Sequence, residues 1–234
     1  MDLSPCSIFQ RSLSYPPSFL LSVHQSERLT PIGILGKLSN ASGFHPWRFD
    51  GQVFTSLSLF LAEIHQFGTK LSGHIRIENT SGSLDVIDCF FSKLFYSSGS
   101  AIHDQSDGRL LIRRSGFQEC TSSSSAGAIL KGNGEFSLLN LCFESCAVIA
   151  SGNGCYGHCA EIERSNGAVS QCTAWKCGTE HLKYGDTPFY FSYCAAVTRD
   201  MNTSFCFGYG TQSTTYWSNT KNSREIQTVS ACGS

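Results

Sequence analysis

Charge is scarce in this chain, and no stretch of it is one-signed. Acidic and basic residues make up 15% of its 234 residues, against about 25% in an ordinary domain. With 17 Lys+Arg and 18 Asp+Glu the net charge is -1. The absence of a basic run excludes a nucleic-acid footprint, and there is no acidic tail. Long apolar runs are missing as well. Phe19-Leu20-Leu21-Ser22-Val23 falls far short of the ~20 residues that span a bilayer, so no membrane span is expected. It is also short for a signal-peptide core, and Met1-Asp2-Leu3 has no positive lead. No G-x-G-x-x-G sits between a strand and a helix, and there is no Walker A loop or G-x-S-x-G elbow. No catalytic residue and no cofactor are therefore expected.

Ser, Thr, Gly and Asn take the place of the missing charge. Cysteine is plentiful, with 12 residues. Most are expected to be buried thiols that behave as small apolar side chains. The sequence also repeats. Ser115-Gly116-Phe117-Gln118-Glu119-Cys120 returns as Leu141-Cys142-Phe143-Glu144-Ser145-Cys146, a shift of 26. A fixed period of this size signals stacked supersecondary units.

Three rungs align, at 84–91, 110–117 and 136–143. Their apolar positions form columns: Leu84/Leu110/Phe136, Val86/Ile112/Leu138 and Phe91/Phe117/Phe143. Alternation with a period of two between them is a strand signal. A further column reads Leu94, Cys120, Cys146, Cys177. Stacked Cβ atoms lie about 4.8 Å apart, wider than a disulfide prefers, so these cysteines are expected to be free. Ser98–Ile102 matches Ser125–Ile129 as a second strand, with one extra residue in the Ser122–Ser125 run. Gly is expected to supply positive φ at the corners. The third copy is interrupted after 151 and resumes at His158-Cys159-Ala160-Glu161-Ile162. Phe189–Phe191 and Phe205–Phe207 are read as later strands.

The rungs show neither a dense Leu-x-x-Leu-x-Leu pattern nor a 3.6-residue period, which sets aside leucine-rich and helical repeats. The expected fold is all-β, a right-handed parallel β-helix with rungs of about 26 residues. Residues 1–70 read as an irregular lead-in and possible cap, with helix-like spacing of Phe54, Leu57, Leu61 and Ile64 over 53–66. Residues 71–210 read as the β-helix. Residues 211–234 read as a polar tail or truncated further rung. The ending Ala231–Ser234 shows no cap, which allows a piece of a longer protein.

Few groups invite chemistry. Asp85, Asp88, Asp104 and Asp107, with Arg113 and Arg114 one rung later, are the acids and bases a polysaccharide lyase or hydrolase would need. Asp88 and Arg114 share a column and are expected to form a solvated pair, while Asp104 and Asp107 are expected in a turn. Cys155, His158 and Cys159 form a weak metal or disulfide set, because structural zinc prefers tighter Cys-x-x-Cys knuckles. Asn40, Asn79 and Asn202 head glycosylation sequons. Tyr190, Phe191, Tyr193, Phe205, Phe207, Tyr209, Tyr216 and Trp217 make the last third aromatic, with burial expected to outweigh exposure.

Gly99–Ile102, Ala126–Ile129, Phe117–Cys120 and Phe143–Cys146 resemble the short Gly-Gly-Ala-Ile and Phe-x-x-Asn/Cys motifs of polymorphic outer-membrane-like β-helix proteins. The Cys- and Ser-rich form resembles the sets found in trichomonad protists. The resemblance spans about 71–210. It implies a surface or secreted protein that presents a side face for adhesion, with a host or cell-surface protein or glycan as partner and no catalysis. The alternative is a carbohydrate-active lyase or hydrolase on the same scaffold.

Overall fold

The computed structural model describes residues 76–149, 157–179 and 187–207 in full. It also describes the backbone of short strands between 48 and 72, at 215–218 and at 225–232. All of these elements are strands; no helix occurs among the described residues. Apart from one antiparallel pair, Arg48–Phe49 with Gln52–Val53, every pairing is parallel. The result is a parallel β-solenoid whose rungs recur about every 27 residues.

Three sheets form its sides. A wide face of ten strands carries Ser83–Ile87 and Phe90–Ser92, Arg109–Gln118, Gly134–Glu144, Ser165–Ser170 with Thr173–Trp175, and Ala195–Ser204. A narrow face of seven strands carries Ile77–Asn79, Ile102–Asp104, Ile129–Lys131, Ala160–Glu163 and Phe189–Ser192. A short face of three strands is made by Phe95–Ser98, Thr121–Ser125 and Ala147–Val148. The chain runs narrow, wide, short, and back to narrow one rung on.

The apolar columns point inward. Leu84, Leu110 and Phe136 pair in register, as do Val86, Ile112 and Leu138. The rings of Phe91 and Phe117 stack at 5.0 Å and 2°, and those of Phe117 and Phe143 at 4.8 Å and 11°. Those spacings are close to the inter-rung distance of about 4.8 Å. Parallel register alone therefore creates the stack.

Above Phe143 the interior narrows. The next rung lines it with Ala160, Gly167 and Ala174. Bulky rings from the rung beyond fill the space. Phe189 meets Phe143 edge-on at 5.5 Å and 85°, and Phe191 lies 6.2 Å from Phe136. Gly167 is required here, because a Cβ would lie 1.9 Å from the Phe136 carbonyl oxygen. Large rings on one rung thus meet the rings two rungs back across the small residues between them, as close packing demands.

The corners depart from the sequence expectation. Among the described residues, thirteen non-glycine residues have positive φ, against four glycines. They form columns too: Asp88/Arg114/Asn140/Gln171/Asp200 bends the wide face, and Lys93/Glu119/Ser145/Lys176/Phe205 joins it to the short face. A side chain in the left-handed region costs about 1–2 kcal/mol. Ladder hydrogen bonds hold it there. The amides of Asp88, Lys93, Glu119, Ser145 and Lys176 each donate to a carbonyl of the next rung at 2.8–3.1 Å.

Other elements also differ. Residues 57–59, 63–67 and 70–72 are strands stacked in parallel on 77–92, so coiling begins before 71 and no helix occupies 63–67. The period-two alternations Leu57-Ser58-Leu59 and Ile64-His65 prevail over the helix-like i, i+3, i+7 spacing. Within Ser98–Ile102 and Ser125–Ile129, residues 99–101 and 126–128 are corners that join one strand to the next. Their 27-residue register holds at Ile102 and Ile129, and the extra residue appears as a register shift between Ser122 and Ser125. Phe205–Phe207 is a corner rather than a strand. Residues 215–218 and 225–232 add strands to the narrow and wide faces, so parallel stacking continues past 210.

Candidate functional site

Asp85 and Asp88 on the wide face are each answered by an arginine one rung on. Arg114 grips Asp88 through Nε and Nη2, both at 2.6 Å, and the pair is partly exposed. That bond raises the Arg114 pKa. Arg109 reaches Asp85 at 3.1 Å. Asp107 is exposed at the corner between narrow and wide faces. These carboxylates do not gather around one groove, because each belongs to a different column.

Asp104 is not in a turn. It ends a narrow-face strand and is fully buried with Lys131, its partner one rung later. The Lys131 ammonium donates to Asp104 Oδ2 at 2.9 Å and to the carbonyls of Ser106 and Gly108 at 2.9 and 3.0 Å. Asp104 Oδ1 accepts from Ser106 N, Ser106 Oγ and Asn79 Nδ2. Every donor of the ammonium is used, which is what a buried charge requires. Burial pushes the Lys131 pKa down and Asp104 opposes it. The cluster pins the 105–108 loop and leaves no open position for a substrate. It also buries the side chain of Asn79, the head of one sequon, whereas Asn202 is exposed on the wide face and Asn40 lies outside the described residues.

Seven of the eight free thiols among the described residues follow one rule. Cys89, Cys120, Cys146, Cys172, Cys177, Cys194 and Cys206 each directly follow a positive-φ residue. Each Sγ lies 3.1–3.7 Å from the carbonyl two residues back. Ser115 and Ser165 do the same with hydroxyls, at 3.0 and 2.7 Å. Cysteine thus serves as a small apolar filler with a weak donor at the bend. Leu94, Cys120, Cys146, Cys177 and Cys206 form one corner column through successive ladder bonds.

All eight free cysteines among the described residues are buried, and Cys142 is disulfide-bonded. Burial pushes Cys146 well above its usual pKa and Cys172 up to about 12. Cys206 is raised mainly by its hydrogen bond with Cys177. Such thiols remain protonated and are poor nucleophiles.

Cys155 lies outside the described residues, but its two companions are placed. Cys159 is a buried free thiol, its pKa raised by burial and by Cys177. His158 is buried, and its Nδ1 accepts the Val148 amide at 3.1 Å. That bond occupies one ring nitrogen and fixes the neutral tautomer with hydrogen on Nε2. Burial lowers the His158 pKa to about 4. Among the described residues no group of three His, Cys, Asp or Glu could hold a metal ion.

The aromatic residues divide. Phe189, Tyr190 and Phe191 are buried, whereas Tyr193, Phe205 and Phe207 are exposed. Tyr209, and the side chains of Tyr216 and Trp217, lie outside the described residues. Among the described residues, four of the five exposed large apolar side chains, Phe95, Ile149, Phe205 and Phe207, belong to the short face or its corner with the wide face. Ladder bonds order one outer column there as Phe95, Thr121, Ala147, Gly178, Phe207. Small residues thus lie between two phenylalanines, about 19 Å apart over four rung spacings. Lys176 covers the ring of Trp175 at 4.2 Å beside this edge. Trp175 had not stood out in the sequence, because its place in the Phe-x-x-Cys pattern is visible only once Ala174 is aligned with Phe143.

No family model matches the chain, and no curated protein or solved structure matches it either.

Proposed function

We propose that this protein is a non-catalytic β-solenoid that presents the edge between its wide and short faces to a partner, in adhesion at a cell surface. The observation that carries this reading is the concentration of exposed Phe95, Ile149, Phe205 and Phe207 on the short face and its corner with the wide face. Apolar side chains clustered in water mark contact surfaces, and aromatic rings flanked by small residues suit such contacts. The carboxylates argue against catalysis. Asp85 and Asp88 are paired with arginines, and Asp104 is sealed in the core. The cell-surface setting rests on the resemblance of the Ala-Ile and Phe-x-x-Cys motifs to surface β-helix proteins.

Beads coated with the full chain test the reading. They are expected to adhere to epithelial cells, and the Phe95→Ser, Phe205→Ser, Phe207→Ser variant to lose most of that adhesion with an unchanged circular dichroism spectrum. Equal adhesion by both would overturn it. Release of reducing ends from a polysaccharide panel would favour the lyase or hydrolase instead.

A further inference from the structure

A second surface feature lies on the opposite corner, between the narrow and wide faces. Arg164, Asn166, Tyr193 and Ala195 line a recess of about 560 Å³, within the range of small-ligand sites. From it we infer a binding site for an acidic sugar unit, carboxylated or sulfated.

The register explains why the recess exists. Arg164 and Tyr193 hold the same corner position on successive rungs, with φ of 45° and 54°. Left-handed backbone at both corners turns the side chains outward, and Arg164 N donates to Ser192 O at 2.9 Å to lock the two rungs together. Two residues on, Asn166 pairs with Ala195. That column runs Ser83, Arg109, Glu135, Asn166, Ala195 along the wide face. Ala195 is the one place where it shrinks to a methyl group, beside a tyrosine that is 53% exposed.

Three unengaged polar side chains thus converge on one hollow. Among the described residues Arg164, Asn166 and Tyr193 have no side-chain hydrogen bond or ion pair. Their chemistries are complementary to one class of ligand. A guanidinium fork matches a carboxylate or sulfate with two hydrogen bonds. An amide offers both donor and acceptor to hydroxyls. An exposed tyrosine ring supplies a flat apolar surface for the C–H face of a pyranose, with a phenol at its rim. A neutral sugar would leave the guanidinium unanswered.

Calorimetric titration of the full chain with trigalacturonate, a sulfated heparin-derived disaccharide and neutral cellotriose tests the site. At least one anionic probe is expected to bind, with Kd on the order of 0.1–1 mM, and the ranking of the two separates a carboxylate from a sulfate ligand. Arg164→Gln and Tyr193→Ala are each expected to weaken binding about tenfold or more. Ala195→Trp, which fills the hollow, is expected to abolish it, with thermal melting unchanged in all three. Absence of binding by both anionic probes, equal binding of cellotriose, or full affinity in Ala195→Trp would overturn the assignment. None of these residues lies on the adhesive edge, so the two proposals stand or fall separately.

Discussion

At the scale of single residues, one ion pair among the described residues lies where water cannot reach, and each member makes stability depend on the other. Asp104 and Lys131 are both fully buried. Asp104→Ala leaves the ammonium without its counter-charge and is expected to cost about 3–5 kcal/mol in urea unfolding. The double change Asp104→Leu with Lys131→Met is expected to recover most of that loss. The next two rungs already carry Ile162 and Phe191 in the same column. A double variant as unstable as the single one would mean that the ion pair itself, not the avoidance of an orphan charge, supports the loop.

His158 gives a pH dependence of definite sign. Its pKa in the folded protein is about 4 against an ordinary value of 6.5. Between those values the unfolded chain holds a proton that the folded chain does not. Stability therefore rises with pH through this window and is lost as pH falls toward 4. The separation corresponds to on the order of 3 kcal/mol. His158→Asn keeps an acceptor for the Val148 amide but cannot titrate. Denaturation midpoints at pH 7 and 4.5 should converge in this variant relative to wild type, and parallel losses would refute the assignment.

At the scale of the element, the corners decide where strands stop. The left-handed column Lys93/Glu119/Ser145/Lys176/Phe205 contains no glycine. Relief of about 1–2 kcal/mol of backbone cost, less the 0.5–1 kcal/mol of added chain entropy that glycine brings, sets a modest net effect. Glu119→Gly is accordingly expected to stabilise by about 0.5–1 kcal/mol. Glu119→Val, with a branched Cβ in the same conformation, should destabilise. Thermal denaturation of the pair checks both signs. This is also where sequence reasoning fell short. Glycine is the ordinary signal for positive φ, but here the signal was the residue preceding each cysteine, as in Glu119-Cys120 and Lys176-Cys177. The strands themselves were legible because alternation in 84–91, 110–117 and 136–143 is local. The rung at 160–175 was harder to read because its column entries had shrunk to Ala160, Gly167 and Ala174.

At the scale of the whole molecule, each rung contacts its neighbours, so the structure behaves as a one-dimensional stack. Duplicating residues 92–143, two full rungs with their own Asp104–Lys131 pair, keeps every column in register. This longer chain is expected to fold cooperatively and to be taller by about 10 Å in solution scattering. Duplicating 96–143 breaks the period and is expected to abolish cooperative unfolding. Equal behaviour of the two would show that column register does not govern the stack.

The recurrence of apolar residues at a constant interval was enough to establish parallel coils, the stacked Phe91, Phe117 and Phe143, and the corner column of Cys120, Cys146 and Cys177. That information is periodic and survives without coordinates, because parallel pairing brings like positions together. What only the folded chain decided depends on neighbours that are remote in sequence and unlike in type. The burial of Asp104 against Lys131, the filling of the Ala160–Gly167–Ala174 waist by Phe189 and Phe191, and the meeting of Arg164 with Tyr193 over Ala195 are all of this kind. Each arises where a column changes character or two columns face one another, and no single repeat contains both partners.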